Sequence, residues 1–328
     1  MRILMLGGSG FVGRAVVDDA LSRGWDVTLL HRGTRRPPEG ATVLVGDRTA
    51  PDGLAALAEG SWDLVVDTWS ARPSAVRDAA RLLADRVGRY VYVSSCSIYA
   101  DPVDHRAAED GVLVEGSPDD GEVPYPRAKR GGELAVTGAF GEDRSLLLRA
   151  GLILGPGEDV GRLTWWLNRI ARGGPVLAPG PRDLTLQYVD ARDLARWALD
   201  AAVAGRCGPY NLASRQGHCT MGELLDACVA ATGSDAELRW TDPARIAAAG
   251  IEPWTDLPIW APPGELHEYL FELETARAFA HGLHCRPVAE TVADTWRWLD
   301  GLGGASPQRP DRPVLGLDPK VEAAVLEG

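Results

Sequence analysis

Arg2-Ile3-Leu4-Met5-Leu6-Gly7-Gly8-Ser9-Gly10-Phe11-Val12-Gly13 opens the chain, and the periodic segment Ala15 to Arg23 follows it. That order reads strand, tight turn, helix. One glycine of such a turn permits the bend, a second lets the backbone approach a pyrophosphate, and a third lets helix pack on strand. The diphosphate then sits at the helix N-terminus, where unpaired N–H groups and the helix dipole favour negative charge. A glycine triplet alone is weak evidence, but a second strand, Asp26 to Leu30, arrives at βαβ distance and supplies the required context. Gly7, Ser9, Gly10, Phe11, Val12 and Gly13 are therefore expected to hold a dinucleotide.

The second strand ends at Leu30-His31-Arg32-Gly33, with Arg35 and Arg36 just beyond. An acid at this point would hydrogen-bond the adenosine ribose diol, whereas a guanidinium pairs with a 2′-phosphate and stacks on adenine. No acid is present. NADP is favoured over NAD, which stays possible, with Arg32 as the main reader, His31 or Arg35 secondary, and Arg36 in a solvated loop. A third strand, Thr42 to Val45, ends in Gly46-Asp47-Arg48. A fourth, Leu64 to Val66, opens into Asp67-Thr68-Trp69, where the backbone is expected to run along the cofactor.

A fifth strand begins at Arg89 and breaks into small hydroxyl residues at Ser94-Ser95-Cys96-Ser97. Ligands bind at strand carboxyl ends in a doubly wound sheet, so these hydroxyls are well placed for chemistry. Thirty positions after Ser95 comes Tyr125-Pro126-Arg127-Ala128-Lys129. Residues four apart share a helix face, which brings the Lys129 ammonium near the Tyr125 phenol. A neighbouring positive charge favours phenolate and suits the tyrosine to acid/base work. Strand and helix alternate to about residue 155, implying an α/β fold with a Rossmann-type, doubly wound parallel sheet.

With these residues in place, the chain resembles an extended or atypical short-chain dehydrogenase/reductase of the NAD-dependent epimerase/dehydratase family, over roughly residues 1 to 300. The glycine spacing G-x-x-G-x-x-G is similar to that superfamily's. So are Leu148 to Pro156 (R-P-x-x-V-Y-G-P in the family), Tyr188 to Ala195 (H-V-x-D-L-A) and Gly208-Pro209-Tyr210-Asn211-Leu212 (G-x-x-Y-N-L). The resemblance implies Tyr125 as acid/base, Lys129 binding the nicotinamide ribose, Ser95 bonding the reacting oxygen, and Asp47 beside the adenine amino group. Ser94 and Arg48 fall among the implied cofactor contacts. Departures from the family matter as much. Sugar-nucleotide 4,6-dehydratases carry an acidic pair directly after the catalytic hydroxyl, where this chain has Cys96 and Ser97. Many sugar-nucleotide enzymes also place a diphosphate-neutralising arginine where this chain has Leu186, and a histidine where it has Asp190; Arg182 would substitute only if its loop shifted. Burying an unpaired diphosphate against apolar residues is costly, which argues against a nucleotide-sugar substrate.

The 328 residues suit a nucleotide domain (1–155, with strands near 188–213 returning to it), a smaller C-terminal substrate-binding cap (156–304), and a linker with a short helix (305–328). Net charge is −12, the opposite of a nucleic-acid footprint. No leader or apolar span is evident, so a cytoplasmic protein without membrane or nucleic-acid partners, monomeric or homodimeric, is expected. Five cysteines without C-x-x-C spacing read as reduced thiols, and six scattered histidines give no metal site, His281-Gly282-Leu283-His284-Cys285 included. Within the cap, Trp165, Trp197 and Trp298 are expected in the core. Trp254 and Trp260, with Trp69, Cys96 and Ser97, are expected to line the substrate pocket. The acidic segment Glu109 to Glu122 reads as a solvated flap, or as recognition of a cationic substrate. The combined reading is an NADPH-dependent reductase, or reversible dehydrogenase, acting on a carbonyl of a small metabolite. Its alternatives are an epimerase working by transient oxidation and, in another class, a catalytically idle nucleotide-sensing scaffold.

Overall fold

The computed structural model describes residues 1–34, 36–100 and 107–327, so Arg35 lies outside the described residues. Two compact units emerge: Met1–Gly151 with Ala191–Ala213 and Glu274–His284, and Leu152–Asp190 with Ser214–Leu273 and Cys285–Gly328. The return of the chain to the first unit, expected from about 188, begins at Ala191. The first unit also takes in Glu274–His284, a segment whose composition carries no such signal.

The first unit is built on strands β1 (Arg2–Leu6), β2 (Asp26–His31), β3 (Thr42–Val45), β4 (Trp62–Asp67), β5 (Val87–Ser95), β6 (Ser145–Ala150) and, after the excursion into the second unit, β11 (Gly208–Leu212). All seven are parallel, in the order β11-β6-β5-β4-β1-β2-β3. Strand order reverses between β1 and β4, paired from Ile3↔Leu64 to Leu6↔Asp67, and a ligand crevice belongs just beyond those carboxyl ends. The helices are α1 (Phe11–Ser22), α2 (Pro73–Leu83), α3 (Tyr125–Phe140), α5 (Ala191–Val203) and α9 (Ala276–Ala280). Leu4, Leu6, Val65, Tyr90, Tyr92 and Leu147 of the sheet pack on Val76, Ala79 and Leu83 of α2 and on Val136 and Phe140 of α3. Successive strand residues face opposite ways, so Met5 and Leu29 turn to the other face, where Val17 of α1 approaches them. Helices on both faces bury the sheet, which is why β1, β4 and β6 read as continuous apolar runs.

Loops near the strand ends are tied down by arginine. Arg149 on β6 donates to both oxygens of Glu133 on α3 (3.0 and 3.1 Å), to Tyr99 Oη (3.2 Å) and to the Glu109 carbonyl (2.7 Å). The Glu109 carboxylate accepts from the Asn211 N–H at 2.9 Å. Asp119 pairs with Arg77, Asp120 with Arg127 and Glu122 with Arg72. The acidic segment carries exposed side chains, Asp119 and Glu122 among them, as a solvated segment does, and is tied by surface ion pairs to arginines of its own unit.

In the second unit three two-stranded ladders pair β7 (Leu152–Leu154) with β10 (Tyr188–Asp190), β8 (Pro175–Pro179) with β13 (Glu237–Thr241), and β9 (Thr185–Leu186) with β12 (Cys219–Thr220). Helices α4 (Arg162–Ala171), α6 (Met221–Thr232) and α10 (Val288–Asp300) pack together, with α7 (Pro243–Ala248) and α8 (Glu265–Phe271) as shorter pieces. The final helix, α11 (Pro319–Glu327), lies against β8, and Glu322 accepts from Arg169 Nε (2.6 Å) and the Leu177 N–H (3.1 Å). The tail is thus an integral part of this unit. Glu158, fully buried, receives the Arg162 and Leu163 N–H groups at 2.7 and 3.0 Å and so caps α4. Among the described residues no helix is long and apolar enough to cross a membrane, and no three His, Cys, Asp or Glu side chains gather as a metal site.

Candidate active site

The glycine turn leaves β1 at the reversal of strand order. Gly7 has φ +96°, and a Cβ there would stand 2.8 Å from Thr68 Oγ1, the first residue past β4. A Cβ on Gly13 would come within 2.5 Å of the Gly7 carbonyl oxygen, and one on Gly8 would strike Leu29, Met5 and Val17. The turn is therefore a close backbone approach that side chains would fill. Gly10 caps α1 without a side-chain hydrogen bond, and no acid occupies the first turn, so the amides at Phe11, Val12 and Gly13 present the positive helix end uncontested. Ser9 lies half-buried in the same turn. The observed cradle fits a diphosphate.

At the neighbouring strand ends, the Gly46 N–H donates to the His31 carbonyl at 3.0 Å, which brings Arg32 and Asp47 side by side. His31 is buried and Arg32 exposed. Hydrogen bonds from Thr49, reinforced by the charges of Arg32 and Arg72, hold the Asp47 carboxylate below its usual range. The Arg48 side chain turns away from this edge. Its Nη1 and Nη2 bind the two oxygens of Asp67 at 2.8 and 2.9 Å, both side chains buried. The expectation that Arg48 reaches toward a cofactor is thereby corrected, because its guanidinium neutralises an internal acid. Trp69 is held as well: its Nε1 donates to the Arg72 carbonyl at 3.0 Å, and Arg48 Cζ lies 5.1 Å from its ring centroid.

Helix α3 packs on β5 and on the turn Cys96–Ile98, and this brings the hydroxyl-rich strand end and the Tyr125/Lys129 pair into one neighbourhood. Tyr125 begins α3, half-exposed, with Pro124 before it and Pro126 at its second position. Lys129 is 2% exposed; its Nζ donates to the Val93 carbonyl at 2.6 Å and the Trp69 carbonyl at 2.7 Å. It stands 4.9 Å from the Tyr92 ring centroid and 5.9 Å from that of Tyr125. Ser95 Oγ accepts from the Ser97 N–H (3.2 Å) and Ser97 Oγ (3.0 Å). Burial pushes the Cys96 thiol up to about 11, so it stays neutral at ordinary pH. Ser94 Oγ is buried with no hydrogen-bond partner among the described residues, an uncommon state for a hydroxyl.

Residues of the second unit behave differently from expectation. Trp260 is 1% exposed and donates its Nε1 to the Gly180 carbonyl at 3.0 Å inside the hydrophobic core, which corrects its assignment to a substrate pocket. Trp254 packs edge-on against Phe271 and under Arg162, also on that core. Leu186 is buried, and Arg182, on the surface, pairs with Asp226 and stacks on Trp240. Asp190 accepts from Thr291 Oγ1 at 2.9 Å and lies 3.5 Å from Arg286. Three polar groupings escaped the sequence reading: Arg48 with Asp67 and Tyr90, Arg149 with Glu133, and Glu158 at the start of α4. Only an acid closing the apolar run Leu64-Val65-Val66 hinted at the first.

Residues 3–213 match the NAD dependent epimerase/dehydratase family. The chain belongs to that family. It is an NAD(P)-dependent enzyme of the short-chain dehydrogenase/reductase type, with the Rossmann-type sheet that the glycine turn implied. A 2-alkyl-3-oxoalkanoate reductase of Stenotrophomonas maltophilia (strain K279a) is 30% identical over 265 residues, 71% of this chain and 76% of the relative. A 3-diazoavenalumate denitrifying reductase of a Streptomyces species is 27% identical over 227 residues, 62% of this chain and 74% of that one. Among solved structures, a Thermus thermophilus UDP-glucose 4-epimerase in complex with NAD shares the fold with a TM-score of 0.62 at 23% identity, covering 92% of this chain and 99% of the epimerase.

Proposed function

We propose that this family member is an NADP(H)-dependent reductase of a carbonyl in a small metabolite. The observation that carries the reading is Lys129, whose ammonium is fixed by the Val93 and Trp69 carbonyls beside the Tyr125 ring and behind the Ser95 strand end. Gly7, Gly10 and Gly13 would hold the diphosphate of the cofactor, Arg32 its 2′-phosphate, and Lys129 the nicotinamide ribose. When bound, the cofactor supplies the hydride. Tyr125 delivers a proton to the carbonyl oxygen. Ser95 Oγ, in contact with the Ser97 N–H and hydroxyl at the same strand end, would hydrogen-bond that same oxygen.

The surroundings support reduction over sugar-nucleotide chemistry. Cys96 and Ser97 give no acid/base pair for dehydration, and burial keeps the Cys96 thiol protonated. Leu186 is apolar and buried where many sugar-nucleotide enzymes place an arginine, which leaves a substrate diphosphate without a guanidinium from that position. The reductase relative from Stenotrophomonas makes 3-oxoalkanoates the first substrates to assay.

The experiment is NADPH oxidation with a panel of 3-oxoalkanoates and simpler ketones, combined with a nucleotide assay on heat-denatured purified protein. Turnover that consumes NADPH stoichiometrically, from protein that releases little nucleotide, is expected. One tightly held NAD per chain, with a substrate carbon inverted and no net redox change, overturns the reading in favour of an epimerase.

A further inference from the structure

Asp67 closes β4, and its carboxylate is fully buried. Four donors converge on it: Arg48 Nη1 on Oδ1 (2.8 Å), Arg48 Nη2 on Oδ2 (2.9 Å), Tyr90 Oη on Oδ2 (2.6 Å) and the Trp69 N–H on Oδ1 (2.9 Å). Arg48 is anchored in turn, donating to the Ala75 carbonyl at 2.9 Å. Asp67 thus grips the Trp69 peptide from its N–H side while the Arg48 guanidinium covers the indole. The carbonyl of that same residue accepts from Lys129 Nζ at 2.7 Å and from Tyr92 Oη at 3.0 Å.

An unbroken chain of contacts therefore runs from Arg48 and Tyr90, through Asp67 and the Trp69 main chain, to the Lys129 ammonium. A buried ion pair is weak evidence for stability, since an apolar trio of similar volume often holds a core equally well. What the polar trio adds here is orientation. It fixes a peptide in the irregular segment just after β4, where no ladder bond would otherwise decide which way the carbonyl points. Strand-end backbone outside the ladder is free to rotate unless side chains hold it.

We infer that Asp67, clamped by Arg48 and Tyr90, is a positioning residue for Lys129: it sets the Trp69 carbonyl that holds the ammonium where the cofactor ribose is read. The inference rests on the reading of Lys129 given under the proposed function. The Asp67 carboxylate is fully occupied by these four donors, and its effect on binding runs through Lys129.

The test is a double-mutant cycle on NADPH affinity, measured by titration of the full chain without any substrate. Asp67→Asn keeps an acceptor oxygen but sets an amide against Arg48, and it is expected to weaken NADPH binding about tenfold, as coupled neighbours do. In a Lys129→Met background the same change is expected to have no more than about a twofold effect, because the group it positions is gone. An equal loss in both backgrounds overturns the inference, as does no loss in the wild-type background. Should Asp67→Asn fail to fold, Tyr90→Phe removes one donor and keeps the ring. It should then give about a threefold loss with Lys129 present and none without it. Lys129→Met binding NADPH like the wild type would instead sink the ribose-binding role itself, so the two failures are told apart.

Discussion

Lys129 Nζ lies 2.7 Å from the main-chain oxygen of Trp69, a residue 60 positions earlier in the chain. Together with the Val93 carbonyl at 2.6 Å, this contact fixes the ammonium from the sheet side. The helix spacing places Lys129 beneath Tyr125, but the loop after β4 and the end of β5 decide where its charge sits.

Tyr125 is the group assigned to deliver the proton. Tyr125→Phe should leave NADPH affinity within about twofold and lower kcat by at least about a hundredfold, the usual contribution of a positioned acid/base. Near wild-type turnover by a folded variant would assign the proton to another donor.

Cofactor choice should follow Arg32, which is exposed at the end of β2 beside Asp47. Arg32→Asp is expected to weaken NADPH binding by about 2 kcal/mol or more while leaving NADH binding unchanged or improved. Parallel titrations with both reduced cofactors check this; a wild-type protein that binds NADH as tightly as NADPH contradicts the arginine argument outright.

Gly13→Ala tests the cradle. The added methyl would meet the Gly7 carbonyl at 2.5 Å and Gly8 Cα at 2.9 Å, both backbone atoms that cannot rotate aside. A loss of about 1–3 kcal/mol in stability is expected, as for other overpacked sites. Cofactor affinity should fall as well, since the turn that receives the diphosphate must widen. Chemical denaturation and NADPH titration of the variant measure the two effects separately, and an unchanged affinity would remove Gly7 and Gly13 from the binding site.

Glu158 gives the second unit a pH dependence. Burial pushes its carboxyl up to about 7 from an ordinary 4.5, against the pull of Arg162 and the two N–H groups it caps. A folded-state value above the unfolded one means that the unfolded chain gives up this proton first. The group's contribution to stability is therefore complete below about 4.5 and is lost as pH rises through about 7. Glu158→Gln mimics the protonated form. Its melting temperature should match the wild type near pH 4 and exceed it near pH 8, and a difference that stays constant across that range would show that Glu158 does not titrate there.

Much of the nucleotide-binding half was legible because its signals are local. A strand, a glycine turn and a helix follow one another within the first two dozen residues, and a Y-x-x-x-K pair needs only one helix to share a face. The second unit was less legible. Trp260 sits in a proline-rich stretch that resembles a loop, and only its burial and its bond to the Gly180 carbonyl reveal a core residue. The arginine partners of the acidic segment, Arg72, Arg77 and Arg127, were not legible either, because they come from α3, from α2 and from the residue before α2, outside the segment itself.

By itself, the sequence determined the parallel α/β sheet and the glycine turn, and it offered Tyr125 and Lys129 as a candidate pair, since each rests on periodicity or spacing within a short stretch of chain; Ser95 joined them through the family resemblance. The tertiary structure decided which of the remaining polar residues face inward. Arg48 and Asp67 are 19 positions apart, and Tyr90 is 23 beyond Asp67. They meet because β4 and β5 are neighbours in the sheet and because a buried carboxylate must gather donors from wherever the fold brings them. No local pattern encodes that meeting, for it is a property of strand order and of the cost of leaving a charge unpaired inside a protein.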